Sequence, residues 1–252
     1  MFVLMTKEVI RLFEGGYYHP DMFLDGRIDQ KYYGTYENSG ETMFGLDRYA
    51  GHGLYYSTPK KGRNVRDDLQ YIYGNYYTYK TNESKQFWTY LDNVDARNKW
   101  KWGYRGGNEE ERLSNLAAAI IYPEYLDLID RFFNTKAKQI VLNSPELTFN
   151  FAYAVWNGSK FFQIYAGDVN KAVDAGVTDP LKLNDIVLNR RINGPTWKLP
   201  RTGKIMRDYF KSPEFDKLKQ STGTIAPVGG LGLFLGGLGL YWIIKKMKRK
   251  KG

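Results

Sequence analysis

The sequence predicts a mainly helical body with a small loop-and-strand lobe, followed by one C-terminal transmembrane helix. Three observations predict it. Beyond Gly107 the chain shows successive apolar stripes at helical spacing, each preceded by a capping residue or a proline. Residues 17–105 instead carry Gly, Asn and many aromatics without one sustained period. From Gln220 to Ile244, 25 consecutive residues carry no charge.

Among 252 residues, 42% are apolar and 16% aromatic, enough to bury a sizeable core and to exclude intrinsic disorder. The chain has no cysteine, which excludes disulfides, a thiolate nucleophile and thiolate metal sites. With only His19 and His52 available, no metal site and no cofactor is expected, and both histidines read as loop hydrogen-bonders. The net charge is +10, from 37 Lys+Arg and 27 Asp+Glu. Six of the basic residues lie in 245–252, so the body is close to neutral. That weakens a nucleic-acid reading of Lys60, Lys61, Arg63, Arg66 and their neighbouring tyrosines.

At about 1.5 Å per residue, the run 220–244 is long enough to cross a hydrocarbon core of about 30 Å. It ends in Tyr241-Trp242 and a lysine cluster, the order of an interfacial belt and a polar flank. Gly232 and Gly236 form a small-xxx-small face for a second spanning helix. The basic tail 245–252 faces anionic headgroups or nucleic acid. Lysines at the C-terminus favour a cytoplasmic tail, yet Met1-Phe-Val-Leu-Met5 is too short for a signal peptide. A single-pass protein of a virion's internal membrane reconciles the two; the other location is a host inner membrane.

In the body, Thr6 to Glu14 reads as a helix with Thr6 as N-cap, Val9, Leu12 and Phe13 on the face of Met5, and Gly15-Gly16 as its stop. Residues 17–60 read as loops with short strands, and 83–99 as a helix. Asn108 caps a helix beginning Glu109-Glu110-Glu111, and Pro123 opens the next. Further helices are expected near 145–156, 159–175 and 179–192. The prolines of 193–219 suggest a tether with a short helix. The expected organisation is a body over 1–192, a tether over 193–219, the span 220–244 and the tail.

Glu14 is the candidate acid. A carboxyl group at a helix C-terminus, packed beside Phe13, is disfavoured in its charged form by the dipole and by desolvation. That is what a proton donor to a glycosidic oxygen requires, and the following glycines let the chain turn away to admit a sugar.

Glu14-Gly15-Gly16-Tyr17-Tyr18-His19-Pro20, followed by Ser39-Gly40-Glu41-Thr42-Met43-Phe44-Gly45-Leu46, resembles the opening of glycoside hydrolase family 108, a muramidase family of the lysozyme-like superfamily. Ser39 stands where that family's turn has glycine, Leu46 where it has isoleucine, and the intervening loop is long. Tyr153-Ala-Val-Trp-Asn157-Gly158 and Phe161-Phe-Gln163 are similar to its later helical part. The resemblance implies a lysozyme-like α+β fold and a peptidoglycan-degrading enzyme, with Glu14 as proton donor and Glu41 and Thr42 facing it. Glu41 then either orients water, stabilises an oxocarbenium-like charge or bonds turn amides; Thr42 positions the water or caps a strand. Tyr17, Tyr18, Trp100, Trp102 and Asn157 are candidates to line the glycan groove. The alternative is a non-enzymatic lysozyme-like structural or glycan-binding component of a membrane-containing virion. Asp25, Asp29, Glu37 and Asp47 read as solvated spare carboxylates.

Overall fold

A computed structural model describes residues 1–14, 16–18, 42–47, 81–101, 107–196 and 198–223. Of the residues singled out in the sequence, Glu41, Trp102, His19, His52, Asp25, Asp29, Glu37, the basic stretch Lys60 to Arg66 and the expected span and tail beyond Gly223 lie outside these residues. Among them no helix is long and apolar enough to cross a membrane. The described part is mainly helical. Its elements, in chain order, are α1 (Phe2–Phe13), β1 (Tyr17–Tyr18), β2 (Thr42–Met43), β3 (Leu46–Asp47), α2 (Asn82–Asp92), α3 (Val94–Lys101), α4 (Gly107–Phe132), α5 (Thr135–Asn143), α6 (Pro145–Trp156), α7 (Ser159–Asp174), α8 (Pro180–Asn193), α9 (Pro200–Tyr209) and α10 (Pro213–Gly223). The first compact unit runs from Met1 to Ser212 and the second from Pro213. In the second, Lys219 pairs with Asp216 at 2.9 Å and lies over the ring of Phe215.

The centre of the first unit is α6. Every residue from Glu146 to Val155 is buried, so this helix is packed on all sides rather than along one stripe. Its start is written locally: Ser144 Oγ accepts from the Leu147 amide and Pro145 fills the first turn. α1, α4, α5, α7 and α8 pack around it. Phe149 and Phe151 are fully buried, Phe151 with its ring centroid 4.9 Å from those of both Phe133 and Phe162.

Four expectations need correction. First, α1 starts at Phe2, not after Thr6. Phe2, Met5, Thr6, Val9 and Ile10 form one buried stripe, and Phe2 meets the rings of Tyr125 and Tyr122 at 4.4 and 5.0 Å. Packing of that stripe extends the helix through the apparent cap, and Thr6 Oγ1 is left buried without a hydrogen bond. Second, Pro123 lies inside α4 rather than opening a new helix. The proline is exposed, while Leu113, Ala117, Ile121, Tyr125 and Leu128 run past it as one buried face. Third, the region expected as one helix over 83–99 is two, broken at Asn93, whose side chain caps α3 by accepting from the Ala96 amide at 3.0 Å. Fourth, 200–209 is no tether: α9 packs on α8, and Tyr209 donates to Glu8 of α1 at 2.9 Å. The approach of α9 requires Gly203, where a methyl group would lie 2.6 Å from Ile192 Cγ1.

The misread cap yields a test. Replacing Thr6 with Val removes an unsatisfied buried hydroxyl at constant volume, and is expected to leave stability unchanged or raise it by about 1 kcal/mol. An N-cap would instead lose about 1 kcal/mol on the same change. The thermal unfolding midpoint of T6V distinguishes them.

Candidate functional site

The site forms where the end of α1, the β-hairpin and the end of α6 converge. Glu14 is the first residue past α1. Its backbone is extended (φ −95°, ψ 121°), while its amide still donates to Ile10 at 3.2 Å. The helix therefore ends one residue before the acid, and the extended turn swings the half-buried side chain off the helix axis.

The hairpin meets it. Thr42 pairs with Asp47 and Met43 with Leu46, antiparallel, leaving Phe44 and Gly45 as a two-residue turn. Their φ values, +53° and +71°, are those of a type I′ turn, whose twist suits a tight hairpin. A phenylalanine is uncommon at such a φ. Here the ring is fully buried, edge-on to Trp100 and Phe87 at 5.8 and 6.4 Å, and the backbone is held at both ends. The Phe44 amide donates to Gly16 at 3.2 Å, and the Trp156 indole donates to the Phe44 carbonyl at 3.0 Å.

Gly45 then faces the acid directly. A methyl group there would lie 2.3 Å from Glu14 Oε2, 2.6 Å from Trp156 Cδ1 and 2.8 Å from its Nε1. Only a residue without a side chain admits the carboxyl group and the indole together. This is where the glycine of the hairpin motif exerts its constraint.

Behind Glu14 stands Tyr153, one turn before Asn157 on α6. Its ring packs on Phe13 at 4.8 Å. Burial pushes its hydroxyl above the usual tyrosine pKa; a hydrogen bond with Asn157 opposes that rise, the Glu14 charge adds to it, and Arg191 and Thr202 oppose it. The hydroxyl therefore stays neutral, with Asn157 and Thr202 as its hydrogen-bond partners. Asn157, half-buried at the end of α6, also donates to the Tyr153 carbonyl at 2.9 Å.

Of the predicted site residues, the structure brings Glu14, Thr42, Tyr17 and Asn157 to this corner. Thr42 is buried, with its backbone paired to Tyr18 and Asp47. Tyr18 lies on β1 opposite Thr42. Two of the proposed sugar platforms need correction: Tyr17 and Trp100 are 7% and 2% exposed, so their rings belong to packed core and offer no open face. Trp156, Gly45 and Arg191 escaped selection in the sequence. Trp156 and Gly45 lie inside the two quoted motifs, but only the fold shows that they touch the acid. Among the described residues, no group of acidic or histidine side chains could hold a metal ion.

The chain matches no protein-family model, no curated protein and no solved structure.

Gly45 and Gly176 offer a controlled comparison. Both have positive φ, but a methyl group on Gly176, in the stop that follows α7, would meet nothing within 4 Å. Gly176→Ala is expected to lose about 1 kcal/mol from backbone strain alone. Gly45→Ala is expected to lose that and at least about 1 kcal/mol more from the collision at Glu14 and Trp156. Equal unfolding midpoints for the two variants would contradict the described packing.

Proposed function

We propose that this chain is a peptidoglycan-degrading enzyme of lysozyme-like fold, cleaving the glycan strand between N-acetylmuramic acid and N-acetylglucosamine with Glu14 as general acid. The observation that carries the reading is the seat of Glu14: half-buried, one residue past a helix, with Oε2 against a side-chain-free turn and an indole. A carboxyl group in such a seat, when it carries its proton, can donate it to a bound glycosidic oxygen. Its sequence motifs, Glu-Gly-Gly-Tyr directly after α1 and Glu-Thr-x-x-Gly at the hairpin, support the same chemistry.

In the proposed reaction the Glu14 proton passes to the glycosidic oxygen as its bond to the anomeric carbon breaks, and positive charge develops on the sugar. Thr42, on the hairpin strand paired with β1, and Glu41, the residue before it in the sequence, are proposed to complete the site. Either water or a hydroxyl group of the sugar itself then takes the anomeric position. The first outcome is hydrolysis and leaves a reducing end; the second is lytic transglycosylation and leaves an anhydro sugar. Residues 220–244 anchor the enzyme in a membrane, that of a virion or a host inner membrane, with Gly232 and Gly236 as a helix–helix contact and the basic tail on anionic lipid or nucleic acid. Anchoring raises the concentration of the acid at the wall.

The test compares the full chain in mild detergent with Glu14→Gln on purified peptidoglycan. Clearing is expected to fall by about two orders of magnitude or more in the variant. Equal clearing by both proteins would reject the assignment and favour a glycan-binding or structural role. Mass analysis of released fragments separates the two chemical outcomes.

A further inference from the structure

Arg191, in the last turn of α8, is fully buried. No carboxylate among the described residues pairs with it. Its Nη2 donates to the Asn150 carbonyl at 3.3 Å, while Nε and Nη1 have no hydrogen-bond partner. In place of a counter-ion it has two aromatic faces: the guanidinium carbon lies 5.1 Å from the centre of the Tyr153 ring and 4.8 Å from that of Tyr165. Cation–π attraction of this kind strengthens when the pair is removed from water. Burial lowers the pKa of this guanidinium, the two tyrosines work against that, and arginine stays charged throughout any working pH.

This is an expensive place for a charge. A well-packed apolar residue of similar volume commonly serves stability as well or better. Everything around Arg191 nevertheless keeps it in register. Gly203 of α9 lets its stem lie under that helix, where a methyl group would come within 3.2 Å of Arg191 Cγ. Asn184 of the same α8 accepts from Asn150 Nδ2 at 2.7 Å, fixing the α6 turn that precedes Tyr153. By contrast, the adjacent Arg190 turns outward and makes a two-pronged ion pair with Asp168 at 2.6 and 2.9 Å.

The groups facing Tyr153 come from every element packed against it: Phe13 and Glu14 from the end of α1, Asn157 from its own helix, Arg191 from α8 and Thr202 from α9. The ring is thus held by a cation on the buried side and packs on Phe13, the residue before the acid, at 4.8 Å. We propose that Arg191 is a positioning residue for Glu14: from the core it clamps the Tyr153 ring, and that ring, packed on Phe13, fixes the end of α1 from which the acid reaches the seat formed by Gly45 and Trp156. The proposal rests on the reading of Glu14 as the acid. It assigns Arg191 no contact with the substrate.

The experiment uses the full chain in detergent, with Arg191→Met, Arg191→Lys, Phe13→Leu and, as control, Arg190→Met. Loss of acid placement reduces turnover more than substrate binding. Arg191→Met is therefore expected to lower kcat on peptidoglycan by about tenfold or more with KM within about twofold. Arg191→Lys, which keeps a cation over the ring, is expected to recover most of that loss, and Arg190→Met to retain kcat. Should the methionine variant fail to fold, Phe13→Leu, which removes the ring contact between Tyr153 and the end of α1, carries the test and is expected to lower kcat in the same way. A second readout needs no activity. Unfolding midpoints of Arg191→Met, Glu14→Gln and their combination are expected to be non-additive. An unchanged kcat in Arg191→Met or Phe13→Leu, with Glu14→Gln inactive, overturns this proposal alone, as do additive midpoint shifts. Clearing by Glu14→Gln equal to that of the unaltered chain sinks the acid assignment instead, and the midpoint cycle then still reads the link between Arg191 and Glu14.

Discussion

The carboxyl group of Glu14 and the indole of Trp156 meet at an α-carbon that can carry no side chain. That meeting at Gly45 sets the geometry of the whole corner. It requires a hairpin turn with two positive φ values, which in turn requires a buried phenylalanine to accept an unfavourable conformation. The cost of such a conformation, about 1–2 kcal/mol, is offset by the burial of the Phe44 ring and by the two hydrogen bonds that hold its backbone. Strain of this kind persists where the surroundings over-determine it. Here they do so from three directions: α1 brings the acid, α6 brings the indole, and Gly16 takes the turn's amide.

The second layer of the site is α6. A helix buried on every side cannot shift to accommodate a neighbour, so the residues at its C-terminal end, Tyr153, Trp156 and Asn157, are delivered to a fixed place. Asn150 anchors it to α8 through Asn184 and Arg191, and Phe13 and Phe149 join it to α1. A rigid buried helix below and a strained turn above leave the acid little freedom, which is how an arrangement assembled from distant segments keeps one geometry.

The helical body was legible because each of its later helices announces itself. Ser144-Pro145 and Asp179-Pro180 are capping pairs, Asn157-Gly158 and Gly176 are stops, and the stripes between them have the right period. Two of the errors share one cause. At Thr6 and Pro123, a strong local signal for a helix boundary was overridden by a buried face that continues through it. Asn93 went the other way: a break within a mostly polar segment carries little periodicity to reveal it. Glu14 itself could be chosen from its position before two glycines. Its partners could not. The Trp156–Phe44 hydrogen bond joins residues 112 apart, and no local pattern marks that contact. Arg191 was the least visible of all, because a basic residue in a last helical turn is what a solvated helix end looks like. The aromatics mislead in the opposite sense: Tyr17 and Trp100 look like sugar platforms, yet they belong to packed core.

The account depends on a glycan lying against the open side of Glu14 while Gly45 and Trp156 hold the carboxyl group from behind. The most direct measurement is a crystal structure of the full chain, with its acid changed to glutamine, bound to an N-acetylglucosamine–N-acetylmuramic acid oligomer. The account predicts one glycosidic oxygen within about 3 Å of the residue-14 amide, with the side chain still seated against Gly45 and the indole. An oligomer bound elsewhere, or a side chain at 14 turned away from Gly45, would contradict it.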